Sequence, residues 1–482
     1  MINYRLVFNI LGTLLLFNGA FMLLALFFSW HFKEDLIPLM LSGGITLLIG
    51  LSFRLFTTRK ISLDMHMKEG YLVVALAWVF MSLTGALPYV LSGAIPSYTD
   101  AFFETMSGFT TTGATILPDI ESLPQGILFW RSLTHWIGGM GIIVLAIAVM
   151  PVLGFGGMQM FAAEASGLTT DKLHPRITDT AKRLWIIYVL FTGLETVLLM
   201  LGEMDFYEAL NHSMATIATG GFSTYNTSLV DASVYTQYVV TIFMFIAGIN
   251  FSLHYFVLKG RFGKVFRNEE FIFYTVITAL LGCVVTISLF WRHHLPLEEA
   301  FRQAFFHVVS IITTTGFVAT DYEQWSPFLV YLIFVISFFG GCAGSTAGGL
   351  KMVRVRLLLN DSALELKRLL HPRAVIPVRI NGKNVPREIM ANVLAFFFFY
   401  ILVFGVASLL LAVLGMDLIS AMGSAVACLS NVGPGIGTVG AMDNYAHVPI
   451  AGKWLLSFLM LMGRLEIFTV LLILIPAFWK KI

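Results

Sequence analysis

The sequence predicts an all-α polytopic membrane protein, and its composition, its long apolar runs and a recurring glycine segment are the three observations behind that prediction. Of the 482 residues, 57% are hydrophobic and 12% are charged, whereas an ordinary soluble domain has roughly 25% charged residues. Most of the apolar runs approach or exceed the ~20 residues needed to cross a bilayer. They cover residues 6–30, 36–55, 71–91, 184–201, 238–258, 271–291, 328–340, 389–414 and 454–479.

The first two runs predict two N-terminal helices that precede the recurring segments. Only one cation, Arg5, lies ahead of the first run, and no small-residue cleavage site follows it. We therefore interpret this run as an uncleaved helix rather than as a signal peptide. Three scattered cysteines in apolar surroundings predict neither a disulfide framework nor a metal cluster; they are Cys283, Cys342 and Cys428.

Four short segments place one or more polar residues ahead of a glycine, and each follows an apolar stretch too short to span a bilayer. These segments are 110–113, 217–220, 313–316 and 430–433. Recurrence of this kind is the sign of a duplicated unit, and each unit reads as helix, half-helix, glycine segment and return helix. The sequence thus predicts ten full-length helices and four half-helices. The predicted domains are an N-terminal pair at 1–66 and four units at 67–182, 183–268, 269–387 and 388–482.

The chemistry of the glycine segments suits a monovalent cation. Irregular backbone within a membrane is tolerated only where protein or water satisfies its hydrogen-bonding groups. Glycine can turn consecutive carbonyls toward one axis because it adopts positive φ without steric cost. Four such contributors can replace the hydration shell of the ion. One segment alone would be an ordinary loop turn, but four in phase predict pseudo-symmetric helix–pore-loop–helix repeats around a central pore. The residues nine positions before the aligned glycines are all polar: Glu104, Asn211, His307 and Ser424.

The charges are distributed asymmetrically along the chain. Most of the 30 lysines and arginines fall at one set of helix ends, which the positive-inside rule assigns to the cytoplasm; they include the basic residues of 54–68, 172–183, 259–267, 351–387 and 480–481. Acidic residues flank the glycine segments instead, so the mouth of the pore is expected outside, where its field concentrates cations. We also expect the histidines within the apolar segments to be packing residues and Arg131 to snorkel.

The glycine segments resemble the four filter segments of the Trk/Ktr/HKT potassium-transporter superfamily. Two further stretches, 340–351 and 463–466, are similar to that family as well, and the two extra N-terminal helices favour its bacterial TrkH-type subunit. The fourth segment departs from the pattern because Asn431 and Val432 replace threonine. The resemblance implies these filter residues: Thr111, Thr112, Gly113, Ala218, Thr219, Gly220, Gly221, Thr314, Thr315, Gly316, Asn431, Val432 and Gly433.

A second glycine-rich stretch interrupts the third return helix. Each glycine costs a helix up to ~1 kcal/mol relative to alanine, so a continuous helix is not expected, although a close crossing of small residues is the alternative. The resemblance implies an intramembrane loop that blocks the pore, with Arg464 pointing into the permeation path; pairing of Arg464 with Glu466 is the other interpretation. The implied gate residues are Gly340, Gly341, Gly344, Ser345, Thr346, Gly348, Gly349, Lys351 and Arg464.

The resemblance also implies the partners of the chain. A TrkA-type cytosolic subunit that binds NAD(H) or ATP is expected to gate the pore, because this chain has no G-x-G-x-x-G after a strand and no Walker pattern. The chain itself is then expected to bind no cofactor and no nucleic acid. The lipid bilayer and a second copy of the chain, in a homodimer, complete the implied partners.

These features predict potassium uptake across the cell (inner) membrane, with both termini cytoplasmic. Only one glycine per unit is shared by all four segments, so weak discrimination of K⁺ and Rb⁺ from Na⁺ is expected. A K⁺ symporter coupled to H⁺ or Na⁺, with alternating access, is the alternative. An enzyme is not expected, because the sequence offers no nucleophile–base or metal-ligand constellation.

Overall fold

The computed structural model describes residues 2–57, 66–148 and 173–480, without the side chains of 142–148 and 173–179. The basic residues Arg59, Lys60, Lys172 and Lys481, which were assigned to the cytoplasmic side, lie outside the described residues. Within them, the chain is helical almost throughout, and the only strands form one small hairpin, Arg379–Ile380 with Lys383–Asn384. The predicted all-α class is confirmed.

The two N-terminal helices form an antiparallel pair, Tyr4–His31 and Ile37–Leu55. Their backbones approach closely because glycines face each other: a methyl group on Gly12 would meet the carbonyl oxygen of Gly50 at 2.7 Å. Small residues allow this kind of contact between membrane helices. The pair packs against the next long helix and against Gln125–Ala148.

Four units follow the N-terminal pair, and each opens with a long helix that leads to a shorter one. The long helices are Met67–Gly85 (continued by Leu87–Leu91), Leu173–Met200, Glu269–Arg292 and Arg387–Val413. The shorter ones are the half-helices Tyr98–Phe109, Phe206–Ile217, Leu297–Ile312 and Leu418–Leu429. The return segments begin with Gln125–Ala148, Val234–Ala247, Pro327–Ile336 and Ile450–Arg464.

The prediction that every return segment outside the glycine-rich stretch is a full-length helix is wrong for the second and fourth units. Val234–Ala247 and Phe251–Leu258 are bent by 102°, and Ile450–Arg464 and Phe468–Leu474 by 118°. In the bend of the second unit, Asn250 caps the helix Phe251–Leu258, and its side chain accepts a hydrogen bond from Ser252 N at 2.8 Å. The bend of the fourth unit passes through Glu466 and Ile467, which both have positive φ. By length and composition, six described helices can cross a membrane alone, or eight if each bent pair counts as one span.

The third return segment leaves the helix after Ile336, and residues 337–351 are non-helical before Met352–Leu370 begins. The remaining helices are short: Phe262–Phe266, Pro476–Trp479 and the 3₁₀ turn Tyr322–Gln324. Both ends of the described chain meet at one face, since Asn3 N donates to Glu69 at 2.6 Å and Lys68 Nζ donates to Lys480 O at 3.1 Å.

Candidate functional site

The four half-helices have defined N-termini, and each ends directly before its glycine segment. Ser97, Asp205 and Asp417 each accept a backbone hydrogen bond three residues further on and so begin the first, second and fourth half-helices. The third begins after Pro296 without a side-chain cap. Their C-terminal ends carry the negative pole of the helix dipole, which favours a cation beyond them.

Each half-helix ends in the same backbone motif. The residue after the C-cap has a left-handed conformation, with φ between 50° and 58°, at Thr111, Thr219, Thr314 and Asn431. Two residues later a glycine again has positive φ, at Gly113, Gly221, Gly316 and Gly433. The residue between them donates a backbone hydrogen bond into its own half-helix, and these residues are Thr112, Gly220, Thr315 and Val432.

This repeated geometry corrects the alignment of the second unit. The counterpart of Gly113 is Gly221, not Gly220 as the sequence comparison assumed, because two consecutive glycines made the register ambiguous. Ala218 is correspondingly the C-cap residue of its half-helix. The polar position nine residues earlier is then His212 rather than Asn211. Like His307, it accepts or donates through both ring nitrogens and ties the half-helix to the chain beyond the glycine.

The four glycine segments close a ring in chain order. A methyl group added at each positive-φ glycine would collide with the carbonyl oxygen of the residue before the glycine in the next segment. The close approaches are Gly113 to Gly220, Gly221 to Thr315, Gly316 to Val432, and Gly433 to Thr112. The structure therefore brings the predicted filter residues together around one axis, with backbone packed directly on backbone.

The carbonyl groups of this ring are largely without protein partners. Among the described residues, no hydrogen bond is donated to the carbonyls of Thr111, Thr112, Gly113, Thr219, Gly220, Gly221, Thr314, Thr315, Gly316, Asn431 and Val432. Two predicted filter residues have partnered carbonyls: Gly433 O accepts the Tyr445 hydroxyl at 2.8 Å, and Ala218 O accepts the Thr219 hydroxyl at 2.7 Å. Buried carbonyls normally have partners, so a ring of free ones suits a cation.

A cavity of about 120 Å³ adjoins the ring and is lined by all four positive-φ glycines. We call it the outer cavity, after the side on which the sequence predicts the mouth of the pore. Arg131 also lines it. The expectation that Arg131 snorkels is wrong: its side chain is buried, and its Nε lies 2.7 Å from a carboxylate oxygen of Glu104. Glu104 also accepts Ile116 N at 2.9 Å. The polarity of Glu104 within an apolar half-helix was the sequence signal for this pair.

The glycine-rich stretch is a loop that lies directly under the ring. Gly348 N donates to the Thr314 hydroxyl at 2.6 Å, and the Thr346 hydroxyl donates to Ile217 O at 3.0 Å. Gly348 also lies against Ser430, whose carbonyl oxygen an added methyl group would strike. The loop thus touches the second, third and fourth segments, and the alternative of a continuous helix crossing does not occur.

Arg464 holds this loop from the fourth unit. Its guanidinium donates to Thr346 O at 2.7 Å and to Gly138 O at 3.2 Å, so it joins the loop to the first return helix. The alternative pairing with Glu466 does not occur, because Glu466 binds Arg354. Within the described residues, no carboxylate lies within ion-pair distance of Arg464.

The other predicted gate residues shape the loop itself. Lys351 Nζ donates to Ala347 O, and the Ser345 hydroxyl donates to Cys342 O at 2.6 Å. Gly340, Gly341, Gly344 and Gly349 all supply backbone to close contacts within the loop or with the bend at Gly248 and Asn250.

Glu270, which the sequence did not predict as a site residue, holds both ends of the loop. Its carboxylate accepts Ala343 N at 2.7 Å and Val353 N at 3.1 Å, from the first turn of the third long helix. The only signal in the sequence was an acidic residue at the start of an apolar run.

A family model described as "TrkH: Cation transport protein" matches residues 37–481. The chain belongs to the TrkH family of cation transport proteins. This confirms the family resemblance seen in the filter segments. Because the family consists of transport proteins, the prediction that the chain is not an enzyme is also confirmed.

Individual relatives match along nearly the whole chain. The Trk system potassium uptake protein TrkH of Escherichia coli K12 is 44% identical over 444 residues, 91% of each chain. Its Salmonella typhimurium namesake is 41% identical and covers 99% of this chain and 100% of the relative. The crystal structure of the potassium transporter TrkH from Vibrio parahaemolyticus matches with a TM-score of 0.92 at 38% identity, over 99% of this chain and 100% of that one.

The buried ion pair beside the ring generates a stability prediction. Glu104→Gln removes one charge and leaves the Arg131 guanidinium buried without its counter-ion, which should lower the free energy of unfolding by about 3–5 kcal/mol. Thermal unfolding of the purified protein in detergent measures the loss. Glu298→Gln is the matched control, because the Glu298–Arg302 pair is exposed at Glu298 and should contribute under about 1 kcal/mol. Equal shifts in the two variants would contradict the prediction.

Proposed function

We propose that this protein takes up potassium through a pore whose selectivity filter is the ring of glycine segments. The ring of unpartnered carbonyls carries the proposal, because such oxygens can replace the water around a dehydrated K⁺ ion. The relatives support the choice of ion, since the curated proteins of E. coli and Salmonella are named as potassium uptake proteins.

The geometry also suggests how selective the filter is. Each unit contributes one positive-φ glycine to the ring, so few carbonyl layers are held rigidly by backbone contact. Fewer ordered sites give weaker discrimination, and we infer that Rb⁺ passes and that Na⁺ is rejected incompletely. The half-helix dipoles add a favourable field at the inner side of the ring.

We infer a pore in preference to alternating access from the order of the contacts. Each segment packs against the next one in the chain, and the fourth returns to the first, which is a fourfold arrangement around an axis. Alternating-access transporters commonly place their site between two inverted halves. Recordings from the purified protein in a planar bilayer test this: unitary currents support a pore, and strictly coupled flux without them supports a K⁺ symporter.

The orientation follows from charge and from the position of the ends. Lys68, at the start of the first unit's long helix Met67–Gly85, and Lys480, near the C-terminus, meet at one face, and the basic helix ends predict that this face is cytoplasmic. Both termini would then lie on the cytoplasmic side of the inner membrane, and the outer cavity of the ring would open to the periplasmic side.

We propose that the loop 340–351 is the gate. It contacts three of the four segments and is joined to the first unit through Arg464, so movement of the loop would unblock the inner side of the ring. The basic segment 351–387 continues directly from the loop, and it offers a route by which a cytosolic nucleotide-binding subunit, and a second copy of the chain, would act on the gate.

Blocking the ring provides the test of the filter. Gly113→Ala adds a methyl group against the Gly220 carbonyl at a residue with φ of 83°, and we expect potassium uptake to fall by more than roughly tenfold because the coordinating oxygens are displaced. The measurement is ⁸⁶Rb⁺ or K⁺ uptake into proteoliposomes.

Gly93→Ala is the matched control for backbone strain. Gly93 has φ of 74°, but a methyl group there meets no atom within 4 Å. Uptake by this variant should stay near that of the parent protein. If both variants transport potassium normally, the ring is not the filter.

Arg464→Ala tests the gate. The substitution removes a positive charge from the space below the ring and frees the Thr346 carbonyl, so we expect the rate of cation flux to rise roughly severalfold. Unchanged or slower flux in correctly folded protein would count against the gate. Arg464→Lys separates the two causes, since it keeps the charge but cannot span both carbonyls as the guanidinium does.

A further inference from the structure

Gly220 has no side chain, although its counterparts in the other segments are Thr112, Thr315 and Val432. Backbone conformation does not require glycine here, because Gly220 lies outside the left-handed region, unlike Gly221. The requirement is spatial: a Cβ atom on Gly220 would overlap the imidazole ring of His135. A side chain from the first return helix therefore occupies the place of the side chain that the second segment lacks.

His135 also stacks on the residue that follows the two glycines. The imidazole and the Phe222 ring lie with their centroids 3.9 Å apart and their planes 15° apart. The Arg131 guanidinium lies 3.5 Å from the centroid of the same ring. Two groups at these separations cannot share one face of the ring, so Phe222 lies between Arg131 and His135. We call these three residues the Phe222 clamp.

The Phe222 clamp is rigidly attached to its surroundings. Arg131 and His135 are four residues apart on one helix, which puts their side chains on the same face. Arg131 is held by Glu104 and donates to Ser223 O at 2.9 Å. All three side chains of the clamp are buried, with relative exposures of 2% or less. The first unit thereby holds the second segment on both sides of Phe222.

The imidazole itself has no other evident task. Its Nε2 has no hydrogen-bond partner among the described residues, and its Nδ1 only receives Phe222 N at 3.5 Å. His212 and His307, in contrast, use both ring nitrogens to tie their half-helices to the following chain. His135 is thus a packing histidine, as the sequence led us to expect, and its ring packs on Phe222 and against Gly220.

We propose that His135 determines the ion selectivity of the ring by standing behind Gly220 and fixing the distance of this carbonyl from the axis. The inference rests on the proposed filter function. His135 is a positioning residue, because it acts through the carbonyl that packs against Gly113 and does not itself line the outer cavity. Without the imidazole, the second segment can move into the space that the ring of His135 had filled. The Gly220 carbonyl is then no longer held at one distance from the axis, so the ring no longer matches the radius of one ion.

A space-exchange experiment tests this role. His135→Ala leaves a void behind Gly220, and we expect the ratio of K⁺ to Na⁺ uptake to fall by roughly tenfold, since a loosened carbonyl ring discriminates less. Gly220→Thr supplies the side chain that the first and third segments have, but this side chain collides with the imidazole. We expect K⁺ uptake to fall by roughly tenfold in this variant. The double variant His135→Ala/Gly220→Thr restores the filling from the opposite side and should recover most of the selectivity.

The double-variant cycle separates positioning from general destabilisation. Initial K⁺ and Na⁺ uptake rates in proteoliposomes are compared at equal amounts of folded protein, together with the thermal midpoint in detergent. Recovery of the K⁺/Na⁺ ratio in the double variant is a coupling that independent damage at two sites does not produce. Additive losses, or a parental ratio in His135→Ala, would overturn the proposal.

Two additional variants are measured in the same assay. His135→Met, which fills the space with a flexible chain, replaces His135→Ala if the latter does not fold, and its K⁺/Na⁺ ratio should also fall because the stacked ring is lost. Gly113→Ala separates this inference from the proposed filter. Gly113→Ala could abolish uptake while the His135 variants keep the parental K⁺/Na⁺ ratio. That result would refute the role of His135 in selectivity but not the proposed filter. If Gly113→Ala transports normally, the filter proposal fails first.

Discussion

Direct contact between backbone and backbone at four glycines is the constraint on which the rest of the structure depends. At each contact a positive-φ glycine lies against a carbonyl of the next segment, with no room for a β-carbon. Because four contacts close a ring, moving one segment would disturb its neighbours on both sides. The half-helices, their caps and the returning chain serve to bring four such glycines to one place.

Free carbonyls at membrane depth are costly unless something compensates them. The structure limits that cost by supporting the ring from behind and from below. Behind it, Glu104, His212 and His307 bind the chain that leaves the ring. Below it, the loop 340–351 fills the axis with further backbone, and its own polar groups are satisfied by Thr314, Ile217 and Glu270. A proposed gate of this kind can be stable when closed without any apolar plug.

The buried charged residues around the ring differ in their partners. The pair Glu104–Arg131 has low exposure at both partners and joins two helices of the first unit. Arg131 extends this brace to the second unit by donating to Ser223 O. Arg464 on the inner side binds only carbonyls among the described residues. A cation without a counter-ion is easier to displace from its partners than one in a buried pair, which fits a brace that stays and a contact that must break.

The sequence by itself determined the class of protein, the four units and the residues that form the ring. These follow from local properties: apolar length, glycine after polar residues, and the sign of charge at helix ends. The interruption of the third return segment was also local, because several glycines cannot sustain a helix.

Tertiary structure alone decided the register of the second unit, the bends of the second and fourth return segments, and the partners of Arg131, Arg464 and Glu270. Gly220 and Gly221 are adjacent glycines that the sequence cannot tell apart. Only their backbone angles and the neighbouring carbonyls distinguish them. The bends arise where the return helices meet the loop of the third unit, and buried charges choose partners distant in the chain. Such contacts depend on how separate units pack, and no local pattern of residues encodes them.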